Sequence, residues 1–545
     1  MKVLWLSATK KFYICDASPQ NKKIMSKWLK VTLITLASLV LLVIVAGVGG
    51  WLYIKSTFLD FEQEYAEEPN IQEVTLDGYT FLDRNSNGAL DVYEDERRPR
   101  EERVADLLSQ MTMEEKLHLL KGSGMASGAG LLEPGEGIPG AAGTIVPTPR
   151  LGLPTLYLAD GPAGLRILPT RENEDRTYYC TAFPIGTLLS SSWNTELVEE
   201  VGAAMGKEAS EYGVDVILGP GANIHRHPLC GRNFVYYSED PVLTGHIGAA
   251  MVNGIESNGV GACVKHFVAN NQETKRNKND VLVSERALRE IYLKGFELIV
   301  AKAQPWTIMS SYNKVNGTYT SESRELLTGV LREDWGFEGV VMTDWFGGRD
   351  APAQIRAGND LLEPGTKKQW KALTDAYEGG TLSAEDIDNS VKRILKLVLE
   401  SRKMQGYEFG NAPDLGAHAG VTRRSAAEGM VLLKNEGTLP IQNAGEVALL
   451  GVTSYDFIAG GTGSGDVNEA YTVSLSEGLK NLGFKADETA ESIFEAHKAN
   501  NEEAFVKPEG FKAMTQPYDP TEKTYTKKAL NRITATSDIA VITIG

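Results

Sequence analysis

Five polar side chains that could share one reaction lie far apart in the sequence, each within or directly after a short apolar run. Asp160 follows TLYLA, Lys265 and His266 follow GACV, Tyr312 follows TIMSS, and Asp344 follows VVMT. A carboxylate beside cations and hydroxyl groups can act as a nucleophile. A polar residue after one strand usually only begins a loop. Five of them at four predicted strand ends indicate one shared site.

Asp344 and Trp345 have the chemistry needed to hydrolyse a glycosidic bond. That reaction passes through an oxocarbenium-like state and needs a carboxylate beneath the anomeric carbon and a proton donor beside the leaving oxygen. Trp345 can stack on a sugar face. Arg232, Lys265 and His266 can bind sugar hydroxyls, and we expect their positive charge to hold Asp344 ionised. This chemistry requires no metal and no cofactor.

Strands and helices alternate along the part of the sequence that must position these residues. We predict strands over 155–162, 214–221, 261–271, 307–313 and 339–346. Helices fit at 241–257 and 284–303, the second with Ser284 as its N-cap. The pattern predicts an α/β fold with a parallel sheet, and its length suits a TIM-like (β/α)8 barrel over residues 97–405. Active sites of such barrels lie at the C-terminal ends of the strands.

A linker over 406–425 and a second domain over 426–545 are predicted after the barrel. The second domain has helical patterns at 424–433 and 473–483 and strand patterns at 446–452 and 537–545. Its glycine-rich segment IAGGTGSGDVNEA (458–470) does not match G-x-G-x-x-G and has no P-loop lysine. A loop on the substrate side is therefore favoured over a nucleotide site.

The N-terminal apolar run predicts attachment to a membrane. Residues 31–54 carry no charge and are long enough to cross a bilayer. Seven lysines and one acid precede this run. The lysine bias predicts a cytoplasmic tail (1–30), a transmembrane signal anchor (31–54) and an extracellular catalytic domain of a single-pass cell-membrane protein. A cleaved signal peptide is the alternative, and Met25 is an alternative start.

An acidic stalk over 55–96 contains a calcium-loop pattern. The predicted ligands follow the order D-x-N-x-N-G-x5-E and are Asp83, Asn85, Asn87, Asp91 and Glu94. Calcium here would be structural. The alternative is an Asx-rich turn without an ion, because no helix precedes the loop and no second copy occurs.

Charge and cysteine content exclude other classes of protein. The net charge of −17 leaves no basic face for nucleic acid, so a neutral substrate is expected. Four widely spaced cysteines indicate neither a disulfide framework nor a thiolate metal site.

Six segments, in this order along the sequence, resemble the signature segments of glycoside hydrolase family 3: LADGPAGLR, GPGANIHRHPLCGRNFVYYSEDP, KHFVANNQE, SERALREIYLKGFE, MSSYNKVNG and GFEGVVMTDW. The resemblance implies a barrel followed by an α/β sandwich domain. It implies Asp344 as the nucleophile of a retaining, double-displacement mechanism. It also implies that the residues around this carboxylate bind or line the sugar site, namely Asp160, Arg232, Lys265, His266, Tyr312 and Trp345.

Within the family, Trp345 favours an exo-acting β-glucosidase that releases terminal β-D-glucose from oligosaccharides or small-molecule β-glycosides, with a β-xylosidase or arabinosidase as the alternative. The family's acid/base glutamate is expected after Gly545, which would make this protein truncated at its C-terminus. Glu239 and Glu273 are internal stand-ins that are better interpreted as sugar-binding or loop-supporting residues. A surface protein that binds sugar without efficient cleavage is the remaining alternative.

Overall fold

The computed structural model describes residues 19–59, 71–126, 128, 137–171, 174–441, 445–508, 512 and 516–545. The protein divides into two compact units, Met1–Thr57 and Phe58–Gly545. The first unit contains helix α1 (Pro19–Ile54), which confirms the apolar helix predicted from the sequence. The stretch Leu29–Leu59 is long and apolar enough to cross a membrane, and its most apolar window is fully exposed.

The second unit contains the remaining strands and helices. The strands are β1 (Gln72–Leu76), β2 (Tyr79–Asp83), β3 (Gly143–Ile145), β4 (Leu156–Asp160), β5 (Val216–Leu218), β6 (Gly261–Phe267), β7 (Asp280–Val281), β8 (Thr307–Ser310), β9 (Lys314–Val315), β10 (Thr318–Tyr319), β11 (Val340–Thr343), β12 (Glu446–Leu450), β13 (Lys485–Ala486) and β14 (Ile539–Ile542). The α-helices are α2 (Arg100–Gln110), α3 (Met113–Leu119), α4 (Gly186–Ser191), α5 (Thr195–Glu211), α6 (Pro241–Glu256), α7 (Glu285–Ala287), α8 (Lys294–Ala303), α9 (Ala351–Ala357), α10 (Lys367–Glu378), α11 (Ala384–Glu400), α12 (Leu415–Gly429), α13 (Leu475–Asn481), α14 (Glu488–Ala499) and α15 (Lys527–Ile533).

The main sheet has six strands in the order β3-β4-β5-β6-β8-β11. The neighbours from β4 to β11 are parallel, which confirms the predicted α/β fold, whereas β3 runs antiparallel to β4. Isolated parallel bridges join Met342 to Leu361 and Leu362 to Lys121 beyond the β11 edge. The hydroxyl groups of Ser123 and Thr144 lie 2.6 Å apart and connect this bridged segment to β3.

The five strands predicted from the sequence are all present and are shorter than their apolar patterns. Every residue of β6, β8 and β11 is buried. Such complete burial is typical of parallel sheets, because helices cover both of their faces. The predicted helix at 241–257 is α6, whose N-cap Asp240 accepts the N–H of Val242 at 2.7 Å. The helix predicted at 284–303 begins at its N-cap Ser284, as expected, but a π-helical turn at Leu288–Tyr292 separates α7 from α8.

The C-terminal sheet is parallel and has the order β13-β12-β14. Helix α12 precedes it and lies partly in the segment predicted as a linker. The helix begins at Leu415, nine residues before the predicted start at residue 424. Its N-cap is Asp414, whose carboxylate accepts the N–H of Ala417 at 3.0 Å. The helix ends at Gly429, so the prediction of a helix to residue 433 is wrong. The apolar residues Met430 and Leu433 are exposed instead.

The segment predicted as an acidic stalk contains the antiparallel hairpin β1-β2, followed by the predicted calcium loop. The carboxylate of Asp83 accepts the backbone N–H groups of Asn87 at 3.1 Å and Gly88 at 2.9 Å. The carboxylate of Glu94 accepts the N–H of Arg84 at 2.7 Å. Both carboxylates are buried and serve the loop's own backbone.

The other predicted calcium ligands bind one another. The side-chain amides of Asn85 and Asn87 donate to one carboxylate oxygen of Asp91, at 2.6 and 2.7 Å. Within the described ranges, no group of three or more acidic, histidine or cysteine side chains is placed to hold a metal ion. This arrangement fits the Asx-rich turn better than an ion site, and the calcium site stays a prediction that the geometry does not support.

The cysteines of the described ranges are free thiols. Cys180 and Cys263 are buried and Cys230 is half-buried. Cys15 lies outside the described residues. The interpretation of these cysteines as small packing residues is consistent with the first two positions.

Glu256, the last residue of α6, has a buried carboxyl group at the start of two strands. It accepts the N–H groups of Ala262 at 3.1 Å and Trp306 at 2.8 Å. Burial raises the pKa of Glu256 to about 8. Since an unfolded glutamate ionises near 4.5, the folded state binds a proton that the unfolded state has released over the pH range between these values.

We therefore expect the free energy of unfolding to fall as the pH rises from 4.5 to about 8, because ionisation of the buried group is costly. Glu256→Gln keeps an acceptor for both N–H groups and does not ionise, so its unfolding should depend less on pH over this range. Urea unfolding of both proteins, followed by circular dichroism, measures the difference. Equal pH dependence would contradict the assignment.

Candidate active site

The C-terminal edge of the main sheet brings the predicted site residues together. Asp160 is the last residue of β4, and Lys265 with His266 lie in β6. Tyr312 follows β8 by two residues, and Asp344 directly follows β11. Because these strands are parallel neighbours in one sheet, their ends meet at one edge.

Asp344 lies at the centre of this group and is only 9% exposed. One carboxylate oxygen accepts the backbone N–H of Trp345 at 2.8 Å. The other lies 3.6 Å from Nε2 of His266. Tyr312 lies close enough to this carboxylate to lower the pKa of Asp344. The carboxylate is therefore oriented from three sides by groups on different strand ends.

The charge state of Asp344 depends on a balance between burial and nearby cations. Burial raises the pKa of Asp344, while Arg276 and Lys265 lower it, with further help from the hydrogen bonds of Trp345 and Tyr312. The net direction is upward. Loss of either cation would therefore favour the neutral acid, which cannot act as a nucleophile.

His266 does not supply the positive charge expected from the sequence. Its side chain is buried, and burial lowers the pKa of His266 well below its usual value, with Arg232 and Lys265 acting in the same direction. The imidazole is neutral near pH 7, so the expectation of a histidine cation beside Asp344 is wrong. Lys265 remains a partner of Asp160, with Nζ 3.5 Å from Oδ1.

Arg276 is the cation that sequence reasoning missed. Its guanidinium lies 4.4 Å from the ring centroid of Tyr312 and donates to Glu273 at 2.8 Å. Burial would lower the pKa of Arg276, but Tyr312, Asp344 and Glu273 together raise it. Arg276 lies in the loop after β6, so a search of strand ends does not reach it. The spacing of Glu273 and Arg276, which allows an i,i+3 ion pair, is the sequence pattern that could have identified Arg276.

The two glutamates considered as stand-ins occupy different places. Glu273 is half-buried beside Arg276, and Asn270 donates to it at 3.4 Å. Glu239 is exposed. Glu273 thus supports the loop that holds Arg276.

Arg232 lies against His266, with Nη2 3.5 Å from Nε2. Its Nε atom is buried and has no hydrogen-bond partner among the described residues. A buried guanidinium N–H normally has an acceptor. This buried N–H is therefore an unsatisfied donor beside His266.

The backbone of His266 is fixed by a buried asparagine. Asn223 accepts the N–H of His266 and donates to its carbonyl oxygen, both at 2.9 Å. The hydroxyl of Tyr236 lies 3.2 Å from Nδ1 of His266, and Asn270 donates to the same hydroxyl at 3.1 Å. The peptide bond between Lys265 and His266 is cis. Hydrogen bonds to Asn223 fix the backbone of His266, and the hydroxyl of Tyr236 contacts its ring.

Trp345 forms one wall beside Asp344. Its indole N–H donates to the carbonyl oxygen of Ala142 at 3.0 Å, and its ring is half-buried. A Cβ atom on Gly143 would lie 2.7 Å from the ring, so only glycine permits this approach of β3 to the indole.

Glu363 lies beneath the same wall and was not predicted. Its side chain is fully buried, and neither carboxyl oxygen has a hydrogen-bond partner in the described part of the protein. Burial raises the pKa of Glu363 well above its usual value, against the opposing effect of Lys121. Cβ atoms on Gly122 and Gly143 would lie 2.5 and 2.7 Å from Oε2. The carboxyl group therefore fills space that these two glycines leave open.

Comparison with known proteins finds one family model over most of the sheet. Residues 149–397 match the glycosyl hydrolase family 3 N terminal domain. "Thermostable beta-glucosidase B" of Acetivibrio thermocellus is 38% identical over 454 residues, which cover 81% of this chain and 54% of that protein. An exo-alpha-(1->6)-L-arabinopyranosidase of Bifidobacterium longum is 41% identical over 353 residues, covering 62% of this chain and 46% of that protein.

A solved structure is similar over the same length. Beta-glucosidase 3B from Thermotoga neapolitana, in complex with glucose, matches with a TM-score of 0.76 and 48% identity, covering 81% of this chain and 62% of that one. The chain spans about half the length of the curated relatives that it matches.

Proposed function

The chain belongs to glycosyl hydrolase family 3, and from this premise we propose that it is a retaining, exo-acting β-glucosidase. The observation that carries the proposal is Asp344, a buried carboxylate oriented by Tyr312 and Trp345 at the edge where four strands end. The beta-glucosidases among the relatives, one of them solved with glucose, support the substrate class. The proposed reaction needs no cofactor.

In the proposed mechanism, a carboxylate oxygen of Asp344 attacks the anomeric carbon. A bond forms between this oxygen and the anomeric carbon while the bond to the leaving oxygen breaks, which gives a covalent glycosyl-enzyme and an alkoxide or phenoxide that takes up a proton from water. Water then attacks the same carbon, releases its proton to the solvent and returns the carboxylate, so the sugar leaves with its configuration retained. Tyr312 orients the attacking group, and Arg276 and Lys265 favour its ionised form.

The sugar-binding groups surround this carboxylate. Asp160 and Lys265 form a pair that accepts from and donates to neighbouring hydroxyl groups, and the half-buried guanidinium of Arg232 donates to another. The neutral imidazole of His266 offers a hydrogen bond without adding charge. The indole of Trp345 supplies the apolar face on which the sugar ring stacks.

We also propose that the sheet closes into the TIM-like barrel expected from the family. The support is the pair of bridges that extends β11 through Leu361 and Leu362 to Lys121, and the hydrogen bond of Ser123 to Thr144 that returns to β3. This gives eight positions around the barrel, one of them antiparallel. A crystal structure with an open gap between residues 121–123 and β3 would contradict it.

Helix α1 is proposed to be an uncleaved membrane anchor, with the second unit outside the cell. Its exposed apolar surface and the lysines before it support this orientation. Full-length protein should stay in the membrane pellet after alkaline carbonate extraction and be digested by protease added to intact cells. Release by carbonate, or protection from the protease, would contradict the anchor or its orientation respectively.

The nucleophile is tested with Asp344→Asn, which keeps the shape of the side chain and removes its negative charge. We expect kcat on nitrophenyl β-D-glucoside to fall by at least about 10³-fold. An activated aryl leaving group needs little protonation, so the test concerns Asp344 alone. Asp334→Asn, an exposed aspartate paired with Arg289, is the matched control and should keep its activity.

The same assay separates the alternatives. Wild-type protein should prefer the β-glucoside over the β-xyloside and the α-L-arabinopyranoside. The reverse order would favour the arabinosidase activity that one relative's name suggests. Saturable glucose binding without a burst of nitrophenol would favour a sugar-binding protein. Equal rates for wild-type protein and Asp344→Asn would exclude Asp344 as the nucleophile.

Arg276 is tested through the pH profile. Burial raises the pKa of Asp344 and Arg276 opposes this shift, so Arg276→Gln should move the acidic limb of kcat/KM to higher pH. Arg276→Lys keeps the charge and should move it less. Arg286→Gln removes an exposed arginine that pairs with Glu290 and should leave the profile unchanged. An acidic limb that does not move in Arg276→Gln would show that Arg276 does not control this ionisation.

A further inference from the structure

The glycine-rich segment that follows β12 reaches the site from the C-terminal region. We define the glycine loop as residues 460–466, GGTGSGD. The N–H of Gly461 donates to the carbonyl oxygen of Gly465 at 3.0 Å, which closes the loop around a short 3-10 helix at Gly463–Gly465. The sequence predicts a loop on the substrate side here, and no step of the proposed mechanism uses this loop.

The glycine loop lies against the ring of Phe234. A Cβ atom built on Gly461 would lie 2.3 Å from Cε2 and Cζ of this ring. A Cβ atom on Gly465 would lie 2.8 Å from the same Cε2. Contacts this short do not occur for real side chains, so both positions need glycine while the ring keeps its place.

The residues after the glycine loop are anchored on the main α/β unit. Val467 is 2% exposed and belongs to the core under β4 to β6, where it contacts Gly164. Asn468 accepts the N–H of Cys180 at 3.0 Å and donates to the carbonyl oxygen of Tyr178 at 2.8 Å. The loop is therefore fixed relative to the sheet and can press on Phe234.

Phe234 belongs to the same short turn as Arg232. The turn is a 3-10 helix at Asn233–Val235 with Arg232 as its N-cap. Nε2 of His225, in the loop after β5, lies 2.9 Å from the carbonyl oxygen of Asn233, and the hydroxyl of Thr187 in α4 donates to the same oxygen at 2.9 Å. The backbone of the turn is thus held by His225 and Thr187, and its phenyl ring contacts the glycine loop.

We propose that Gly461 and Gly465 position Arg232 for the sugar by clamping Phe234, so that affinity for the glycone depends on a contact made by the C-terminal region. Gly461, Gly465 and Phe234 are positioning residues, because they act through Arg232 and do not touch the substrate themselves. The proposal rests on the sugar-binding role assigned to Arg232 in the proposed function.

The test compares Gly461→Ala with Gly478→Ala in the full-length, detergent-solubilised protein. Gly478 lies in α13, where an added Cβ would meet only Val473 at 4.0 Å, so it is a matched control for the loss of a glycine. We expect Gly461→Ala to raise KM for nitrophenyl β-D-glucoside about tenfold or more with a smaller change in kcat, because Arg232 binds the sugar before and during reaction. The Kd for glucose, measured by calorimetry, should rise by a similar factor.

A second variant tests the contact itself. Phe234→Leu shortens the ring side chain, and combined with Gly461→Ala it should return KM and Kd most of the way towards the wild-type values. This double variant also tests the clamp if Gly461→Ala alone does not fold. Relief of the clash with the phenyl ring should then restore folding and glucose binding together. A double variant as impaired as Gly461→Ala would contradict the clamp.

The outcomes separate this inference from the proposed function. Wild-type activity with an unchanged KM in Gly461→Ala would overturn the clamp and leave the β-glucosidase assignment intact. A wild-type protein that neither hydrolyses the β-glucoside nor binds glucose would overturn the proposed function, and the clamp with it.

Discussion

The proposed mechanism depends on one constraint, a buried carboxylate that must stay ionised. Burial in a medium of low dielectric constant favours the neutral form of Asp344, and the charges of Arg276 and Lys265 oppose it most, followed by Trp345 and Tyr312. Lys265 is rigid because it lies in a fully buried strand, while Arg276 is held in a loop by Glu273 and by the ring of Tyr312. The same burial keeps His266 neutral. Burial thus favours the uncharged form of both neighbours, and in the proposed mechanism Arg276 and Lys265 keep the carboxylate charged while His266 stays an uncharged hydrogen-bonding ring.

The parallel sheet provides the geometry that places the groups around this carboxylate. Parallel strands end at one edge, so residues far apart in sequence meet there without long side chains. Loops add further side chains to this edge, at positions that the strands do not reach. The turn at Asn233–Val235 carries Arg232, and the glycine loop contacts that turn from the C-terminal region. The site is consequently built in two layers, a rigid edge that sets the carboxylate and a loop layer whose packing sets the surrounding donors.

Much of this arrangement could be predicted from the sequence. The apolar strands and the polar residues at their ends were found because both follow simple patterns, and Asp160, Lys265, His266, Tyr312 and Asp344 do lie at one edge. The charge of His266 could not be predicted, since it depends on burial. Arg276 was missed because loops have no periodicity. The antiparallel β3 was missed because three residues are too short for a pattern, and the early start of α12 was missed because one capping aspartate, Asp414, outweighs a glycine-rich composition.

The packing around Glu363 has a consequence for how this scaffold can diverge. Gly122 and Gly143 leave no room for a methyl group, and the carboxyl group fills the remaining volume beneath Trp345. Substitutions that enlarge either glycine would displace the carboxyl group of Glu363, and substitutions that shrink Glu363 would open a void in its place. Changes in sugar preference are therefore expected at the turn that carries Arg232, where packing is looser, and not at Gly122, Gly143 or Glu363.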